Sequence, residues 1–343
     1  MGKQIIKCVV WDLDNTLWDG VLAETDDVVL KNNIVPIIKE LDRRGILQSI
    51  SSKNEHDNVM KKLDEFGIKE YFLYPQVNWG PKSESIKAIQ KAFNFGIDTF
   101  AFVDDQAFER EEVAYSIPEV LCIDAADIDK LLDMEQMQPR FVTEDSKNRR
   151  KLYMNDIERN KAEEKFEGAE EDFLATLGIK FTISKAKEID LKRMEELTVR
   201  THQLNSTGTV YSYEELLELI HSDKYDVIVA QLDDKYGEYG KIGIAVVEKN
   251  GNDWEIKLLL MSCRVMSKGV GSVMLRYITN NALKHKANLY ADFVQTDRNR
   301  IMYITYKFSK YKEVEKNGKY IRLQSTTETL EPYPSYVTVV ENI

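Results

Sequence analysis

Read by hydrophobic period, the chain divides in two. In the first part, short apolar β-rich runs alternate with segments whose apolar residues recur at helical spacing. IIKCVVW (5–11) has the pattern of a buried strand, and apolar residues at helical spacing follow in 33–43, ending at Gly45. GILQSIS (45–51) reads as a second strand, TFAFVDD (99–105) as a third and EVLCID (119–124) as a fourth. One helix starts in the polar SKNEHDN and runs to Phe66, where Gly67 closes it; another starts at Pro81 and runs through KSESIKAIQKAFN. Proline suits a first helical turn because no N–H is needed there. Strand–helix alternation of this kind predicts an α/β domain built on a doubly wound parallel sheet.

From about residue 178 the period changes. YDVIVAQL (225–232), KIGIAVVE (241–248) and WEIKLLLMSC (254–263) read as strands, separated by the turn-rich DDKYGEYG and KNGND. That predicts an antiparallel meander. A glycine-containing loop and helix (RVMSKGVGSVMLRYITNNALKHK), a strand (NLYADFV), a helix (RNRIMYITYKF) and a hairpin (YKEVEKNGKYIRL) follow. The second domain is therefore expected to be α+β with a mostly antiparallel sheet. The charged stretch between the two patterns, which contains NRRKLYMNDIERNKAEEKFEGAEEDFLATLG, reads as surface helices connecting them.

Composition narrows the function. A length of 343 residues suits two domains at roughly 150 residues each. A net charge of −11 disfavours nucleic acid and anionic membranes as general partners. No apolar run approaches the roughly 20 residues that span a bilayer, and no secretory pattern stands at the start. Three widely spaced cysteines (Cys8, Cys122, Cys263) make no disulfide framework, and the four histidines lack zinc spacing. A reduced, cytoplasmic protein is expected.

The expected strands of the first part end in polar groups: Asp12 and Asp14, Ser51 and Ser52, Asp104 and Asp105, with Lys82 opening the helix after Pro81. In a parallel sheet the carboxyl ends of strands face the binding crevice. Acids also end strands merely as turn formers. Gathered in one crevice, this set suits Mg2+-assisted phosphoryl transfer. Oxygen ligands hold a hard cation, and cation and amine neutralise the phosphate. One Asp then attacks phosphorus, and a second moves the proton.

DLDNT (12–16) fits the DxDx[TV] signature of the haloacid dehalogenase-like (HAD-like) superfamily, and Ser52, Lys82 and Asp104/Asp105 fit its later motifs in order. The resemblance implies Asp12 as nucleophile and Asp14 as acid/base. It implies Mg2+ held by the Asp12 carboxylate, the Asp14 backbone carbonyl and Asp104, with phosphate on Ser52 and Lys82. Segments 19–45 and 53–81 are too short for a sizeable inserted cap, so the domain is expected to be capless.

In the second half, Cys263 ends a strand beside Arg264, just before SKGVGS. A cation and a helix N-terminus favour a thiolate; a buried core cysteine is the plainer reading. The element order resembles the acetyltransferase (GNAT-like) fold, with Met266 where that family usually has Gln or Arg. The set DLDNTLWDG, SSKNE, NWGPKSE, FVDDQAFERE, TEDSKNRR, THQLNSTG, DKYGEYGKIGIA and SCRVMSKGVG resembles the FkbH-like family over nearly the whole chain. That resemblance implies a HAD-like phosphatase domain at 1–135, a charged helical linker at 136–177 and a GNAT-like acyltransferase domain at 178–343. It implies transfer of a glyceryl group from 1,3-bisphosphoglycerate to an acyl carrier protein through a thioester on Cys263. Asn54, Asn205, Thr207 and Arg264 would then bind substrate. His202 stands where the family has Asn, and is either a base toward a thiol or a hydrogen-bonding surface residue. The basic clusters Arg149, Arg150, Arg159 and Arg276, Lys284, His285, Lys286 are either solvated helix faces or a dock for an acidic carrier. The alternative function is a phosphatase of a small phosphorylated metabolite whose second domain is a lid or binding module.

Overall fold

The computed structural model describes residues 5–343. The chain splits into two compact units, Met1–Met154 and Asn155–Ile343.

The first unit runs β1 (Cys8–Trp11), β2 (Trp18–Asp19), β3 (Val29–Leu30), α1 (Ile34–Arg43), β4 (Leu47–Ser52), α2 (His56–Glu65), β5 (Gln76–Val77), α3 (Lys82–Phe93), β6 (Phe100–Asp104), α4 (Ala107–Ser116), β7 (Leu121–Asp124) and α5 (Glu144–Lys147). Its sheet is parallel throughout, in the order β5-β4-β1-β6-β7. Side chains of β1, β4 and β6 are buried on both faces, which is why β1 and β6 read as continuous apolar runs. The chain moves outward from β1 to β4 and β5, then returns across β1 to β6. At such a reversal of strand order a crevice opens over the carboxyl ends.

Helix α6 (Arg149–Glu164) carries the boundary between the units within it. The span 136–177, expected as a solvated linker, is divided between the two units. In the first unit Arg149 donates to the Gly45 carbonyl at 2.7 Å, and Arg150 pairs with Asp42 at 3.1 Å and Glu70 at 2.8 Å. The Tyr153 ring meets Phe93 and Phe95 edge-on. In the second unit Arg159 is fully buried. These arginines are spent on partners inside the fold and offer no docking surface. Arg276 is likewise engaged, with Glu331 and the Pro332 carbonyl.

The second unit continues with α7 (Glu170–Thr176), β8 (Ile179–Lys185), α8 (Glu188–Arg200), α9 (Tyr213–Ile220), β9 (Tyr225–Asp234), β10 (Gly237–Asn250), β11 (Asp253–Met261), α10 (Gly271–Lys284), β12 (Asn288–Val294), α11 (Arg300–Phe308), β13 (Tyr311–Asn317), β14 (Tyr320–Ser325) and β15 (Val337–Asn342). Its eight strands lie in the order β13-β14-β12-β11-β10-β9-β8-β15. Pairing is antiparallel except at β11–β12 and β15–β8. Both faces are covered. Ile244 and Val246 of β10 pack with Leu191, Met194 and Leu216 of α8 and α9. Ala245 and Val247, one residue out of phase, join the core built around Met274 and Ile278 of α10. Among the described residues no helix is long and apolar enough to cross a membrane.

Candidate active site

The first unit gathers its acids where the crevice opens. β1 runs straight into DLDNT, and the chain turns there because Asn15 takes a left-handed conformation, φ 56°, which Asn tolerates better than most residues. The Leu13 carbonyl accepts from Thr16 N at 3.1 Å and Leu17 N at 2.8 Å, closing the turn. Asp12 and Asp14 thus leave the strand end in different directions.

Asp12 is buried and receives a short hydrogen bond from Lys82 Nζ, at the start of α3. Lys82 also donates to the Ser51 carbonyl at 2.5 Å and lies 3.4 Å from Asp104 Oδ2. Asp104, at the end of β6, is 1% exposed; its Oδ1 accepts from Gln106 N at 2.8 Å, while Oδ2 has no hydrogen-bond partner. Asp105 completes a cluster in which carboxylate oxygens of Asp12, Asp104 and Asp105 all lie within 4.8 Å of one another. Thr16 holds Asp105 in place, its Oγ1 accepting from Asp105 N at 3.1 Å.

Burial pushes Asp12 up to about 7; Lys82 pulls it down and Asp104 pushes it further up. Burial raises Asp104 too. One ammonium does not balance three crowded carboxylates. A buried oxygen that makes no hydrogen bond, and shares one ammonium with two more carboxylates, fits a hard divalent cation. Asp105, not assigned as a ligand from sequence, is the third carboxylate. The doubled acid of FVDD was its signal.

Asp14 faces away from that cluster. Its Oδ1 accepts from Trp18 Nε1 at 2.7 Å and Leu22 N at 3.0 Å, and its Oδ2 from Asn54 Nδ2 at 3.1 Å. The β2–β3 hairpin supplies Trp18, so the short flap is what aims this carboxylate. Asn54, expected to bind substrate, is buried and holds Asp14 instead, while its Oδ1 accepts from Glu55 N. Ser52 lies buried at the end of β4.

In the second unit Cys263 begins a 3-10 turn, Cys263–Lys268, directly after β11, and is half-buried. Arg264 turns away to donate to the Tyr239 carbonyl at 2.6 Å and lies near Asp156. Its charge is thus taken up inside the fold and is not free for a substrate. Gly269 has φ 64°, and a Cβ there would meet the Tyr336 hydroxyl at 2.2 Å. The first glycine of SKGVG is accounted for by this contact and its left-handed backbone.

The THQLNSTG segment has an unexpected place. β11 and β12 pair only over Asp253–Ile256 and Asn288–Ala291, then part. Residues 204–206 fill the gap. Met261 N donates to the Leu204 carbonyl at 2.9 Å, Ser206 N to the Leu259 carbonyl at 2.9 Å, and Val294 N to the Ser206 carbonyl at 3.0 Å. Asn205 faces Leu260 in an antiparallel bridge. The Asn205 side chain is spent on its own turn: Oδ1 accepts from Thr207 N at 3.1 Å and Gly208 N at 2.9 Å, and Nδ2 donates to the Thr209 carbonyl. Thr207 Oγ1 donates to Thr209 Oγ1. Both expected substrate ligands therefore shape the turn over residues 205–209.

No protein-family model and no curated protein matches the chain. Among solved structures, it is similar to the N-terminal part of BF1531 from Bacteroides fragilis, which contains a phosphatase domain and was solved with Mg. That likeness has 26% identity over 39% of this chain and 41% of that one, with a TM-score of 0.36. This chain thus spans about two fifths of the BF1531 structure. It is also similar to the ribosomal-protein-S18-alanine N-acetyltransferase from Escherichia coli, at 13% identity over 42% of this chain and 92% of that one, with a TM-score of 0.34. For the PaiA N-acetyltransferase from Thermoplasma acidophilum, solved with coenzyme A, the values are 15%, 42%, 98% and 0.35.

Proposed function

We propose that the chain is a Mg2+-dependent phosphatase joined to an acyltransferase-like unit, and that it makes a glyceryl thioester from 1,3-bisphosphoglycerate for an acyl carrier protein. The observation that carries the phosphatase reading is the buried Asp104 Oδ2, without a hydrogen-bond partner, inside the Asp12–Asp104–Asp105 cluster. Mg2+, held by these residues and the Asp14 carbonyl, would neutralise the phosphate so that an anionic nucleophile can approach.

The residues divide the work. An Asp12 oxygen attacks phosphorus, and the bond from phosphorus to the leaving oxygen breaks. Asp14, aimed by Trp18, Leu22 and Asn54, gives that oxygen a proton. Asp14 then takes a proton from water, whose oxygen attacks the aspartyl-phosphate and frees inorganic phosphate. Lys82 and Ser52 hold the phosphate oxygens. In the second unit the Cys263 thiol loses its proton to His202. The sulfur attacks the acyl-phosphate carbonyl, and the carbon–oxygen bond to phosphate breaks. That leaves a phosphoglyceryl thioester, from which the phosphatase site removes the 3-phosphate. A pantetheine thiol finally takes the glyceryl group.

Intact-protein mass spectrometry tests the scheme. The protein is incubated with enzymatically generated 1,3-bisphosphoglycerate and Mg2+, beside Cys263→Ala and Asp12→Asn. A glyceryl adduct is expected on the native chain, none on Cys263→Ala, and an adduct arrested as phosphoglyceryl on Asp12→Asn. No adduct, with phosphate still released, leaves the second reading: a phosphatase of a small phosphorylated metabolite with a binding domain. The Tyr336–Gly269 contact favours that reading, because it accounts for the first glycine of the loop without a ligand.

A further inference from the structure

The surface around α11 differs from the rest of the chain. Between residues 298 and 322 stand eight Lys or Arg and two Glu, in a protein of net charge −11. On α11, Ile301, Ile304 and Phe308 are 40%, 39% and 86% exposed, while Met302 and Tyr306 are buried. At about 100° per residue the three exposed side chains form one stripe, flanked along one side by Arg300 and Lys307. Lys312 and the half-exposed Val314 follow on β13, which is an outer strand of the sheet. Lysines alone guard an outer strand against unwanted pairing. They do not explain an apolar stripe on the adjoining helix.

Exposed apolar residues gathered in one place mark an interaction site. The cleft beside the stripe, 460 Å³ in volume, sets Arg300 and Lys316 against Asp297 and Glu313 and so selects no charge. Recognition falls to the exposed face of α11 and β13. We infer that this face docks an acidic partner protein, through a helix that presents an apolar residue among carboxylates. Phe308, Ile304 and Ile301 supply the apolar anchor; Arg300, Lys307 and Lys312 supply orientation and encounter rate. The inference rests on the reading that the second unit hands an acyl group to a protein-borne thiol, and it assigns the surface on which that protein sits. Arg150 and Arg159 of α6 do not serve, since they are buried in ion pairs of their own.

The test compares two acceptors, free pantetheine and the holo-acyl carrier proteins of the source genome. Acyl transfer to each is timed for wild type, for Ile304→Ser with Phe308→Ser, and for Lys307→Glu with Lys312→Glu. These side chains are exposed, so thermal unfolding should be unchanged. Transfer to the carrier should fall by about tenfold or more in both variants. Transfer to free pantetheine should hold. The charge-reversal loss should shrink in about 0.5 M salt, where exposed charges are screened. Variants that serve the carrier as well as wild type does would overturn the docking face and leave acyl transfer standing. Wild type that serves free pantetheine and no carrier would overturn it as well. Failure with both acceptors would overturn the underlying transfer reading.

Discussion

Arg159 offers the sharpest test of how the second unit is held together. It is fully buried, yet its guanidinium is satisfied on every side. Nε and Nη2 donate to the two oxygens of Asp234 at 2.7 and 2.9 Å, Nη1 to Asp156 at 2.8 Å, and Nη2 also to the Gly237 carbonyl at 3.0 Å. The group lies 3.8 Å from the centre of the Tyr239 ring. Arg159→Leu keeps much of the volume and strands two carboxylates. Breaking a buried pair from one side costs about 3–5 kcal/mol. Asp234 keeps its bonds from Tyr236 N at 2.8 Å and Tyr239 Oη at 3.1 Å, which places the loss toward the lower end. About 3 kcal/mol corresponds to a fall in Tm of roughly 6–12 °C for a unit of this size. Calorimetry gives the Tm, and hydrogen exchange on peptides from β9 and β10 localises the loss. The pH dependence is a second signature. Burial already pushes Asp156 up while Arg264 and Arg159 oppose it, so removing Arg159 lets it rise further. Above its unfolded value, a folded-state pKa makes the native state bind more protons, so the deficit of the variant should shrink as pH falls from 7 toward 5. Adding Asp234→Asn should restore part of the stability. A loss under about 1 kcal/mol at pH 7, or one that acid does not reduce, would refute the assignment of a stranded-charge cost.

Other expectations follow the same logic. With metal removed by chelator, Asp12 at about 7 is above its unfolded value, so it favours the native state below pH 4 and loses that stabilisation as pH rises through 7. The span is on the order of 4 kcal/mol, and the Tm of Asp12→Asn across this range should lack it; equal slopes would argue against a buried, protonated Asp12. Asn54→Ala should lower kcat for phosphate release by about tenfold or more with KM nearly unchanged, because Asn54 aims the proton donor; a change in KM alone would return Asn54 to substrate binding. Gly269→Ala should cost about 1–2 kcal/mol for its left-handed backbone and more for the Tyr336 contact, with Tyr336→Phe recovering the second part; thermal unfolding that does not move in Gly269→Ala would contradict both terms.

The parallel strands β1 and β6 were legible because strands buried on both faces leave uninterrupted apolar runs. The strand ends were legible because acids stop such runs abruptly. β2, β3 and β5 span two residues each, too few for any period, yet β2 carries the tryptophan that orients Asp14. β15 is rich in β-branched residues, but its partner β8 lies at the other end of the unit, and a parallel partner so distant leaves no local mark. Composition made residues 136–177 look solvated. Counting charges cannot show that Arg150 and Arg159 each face carboxylates far away in sequence. The family resemblance carried by THQLNSTG suggested substrate ligands. The segment's actual place, inserted where β11 and β12 part, depends on backbone pairing that side-chain chemistry does not encode.

The boundary inside α6 bears on how the protein can be taken apart. Cutting at either edge of 136–177, as the charge pattern invites, removes stabilising groups from one unit. A fragment ending at 135 loses the arginines that satisfy Gly45, Asp42 and Glu70, together with the Tyr153 ring. A fragment starting at 178 loses Arg159 from beneath Asp234, and Phe173 and Leu174 from the core. Separate expression therefore calls for two overlapping pieces, each with the whole of α6. Truncations made at the compositional edges would report on broken ion pairs rather than on the activity of either half.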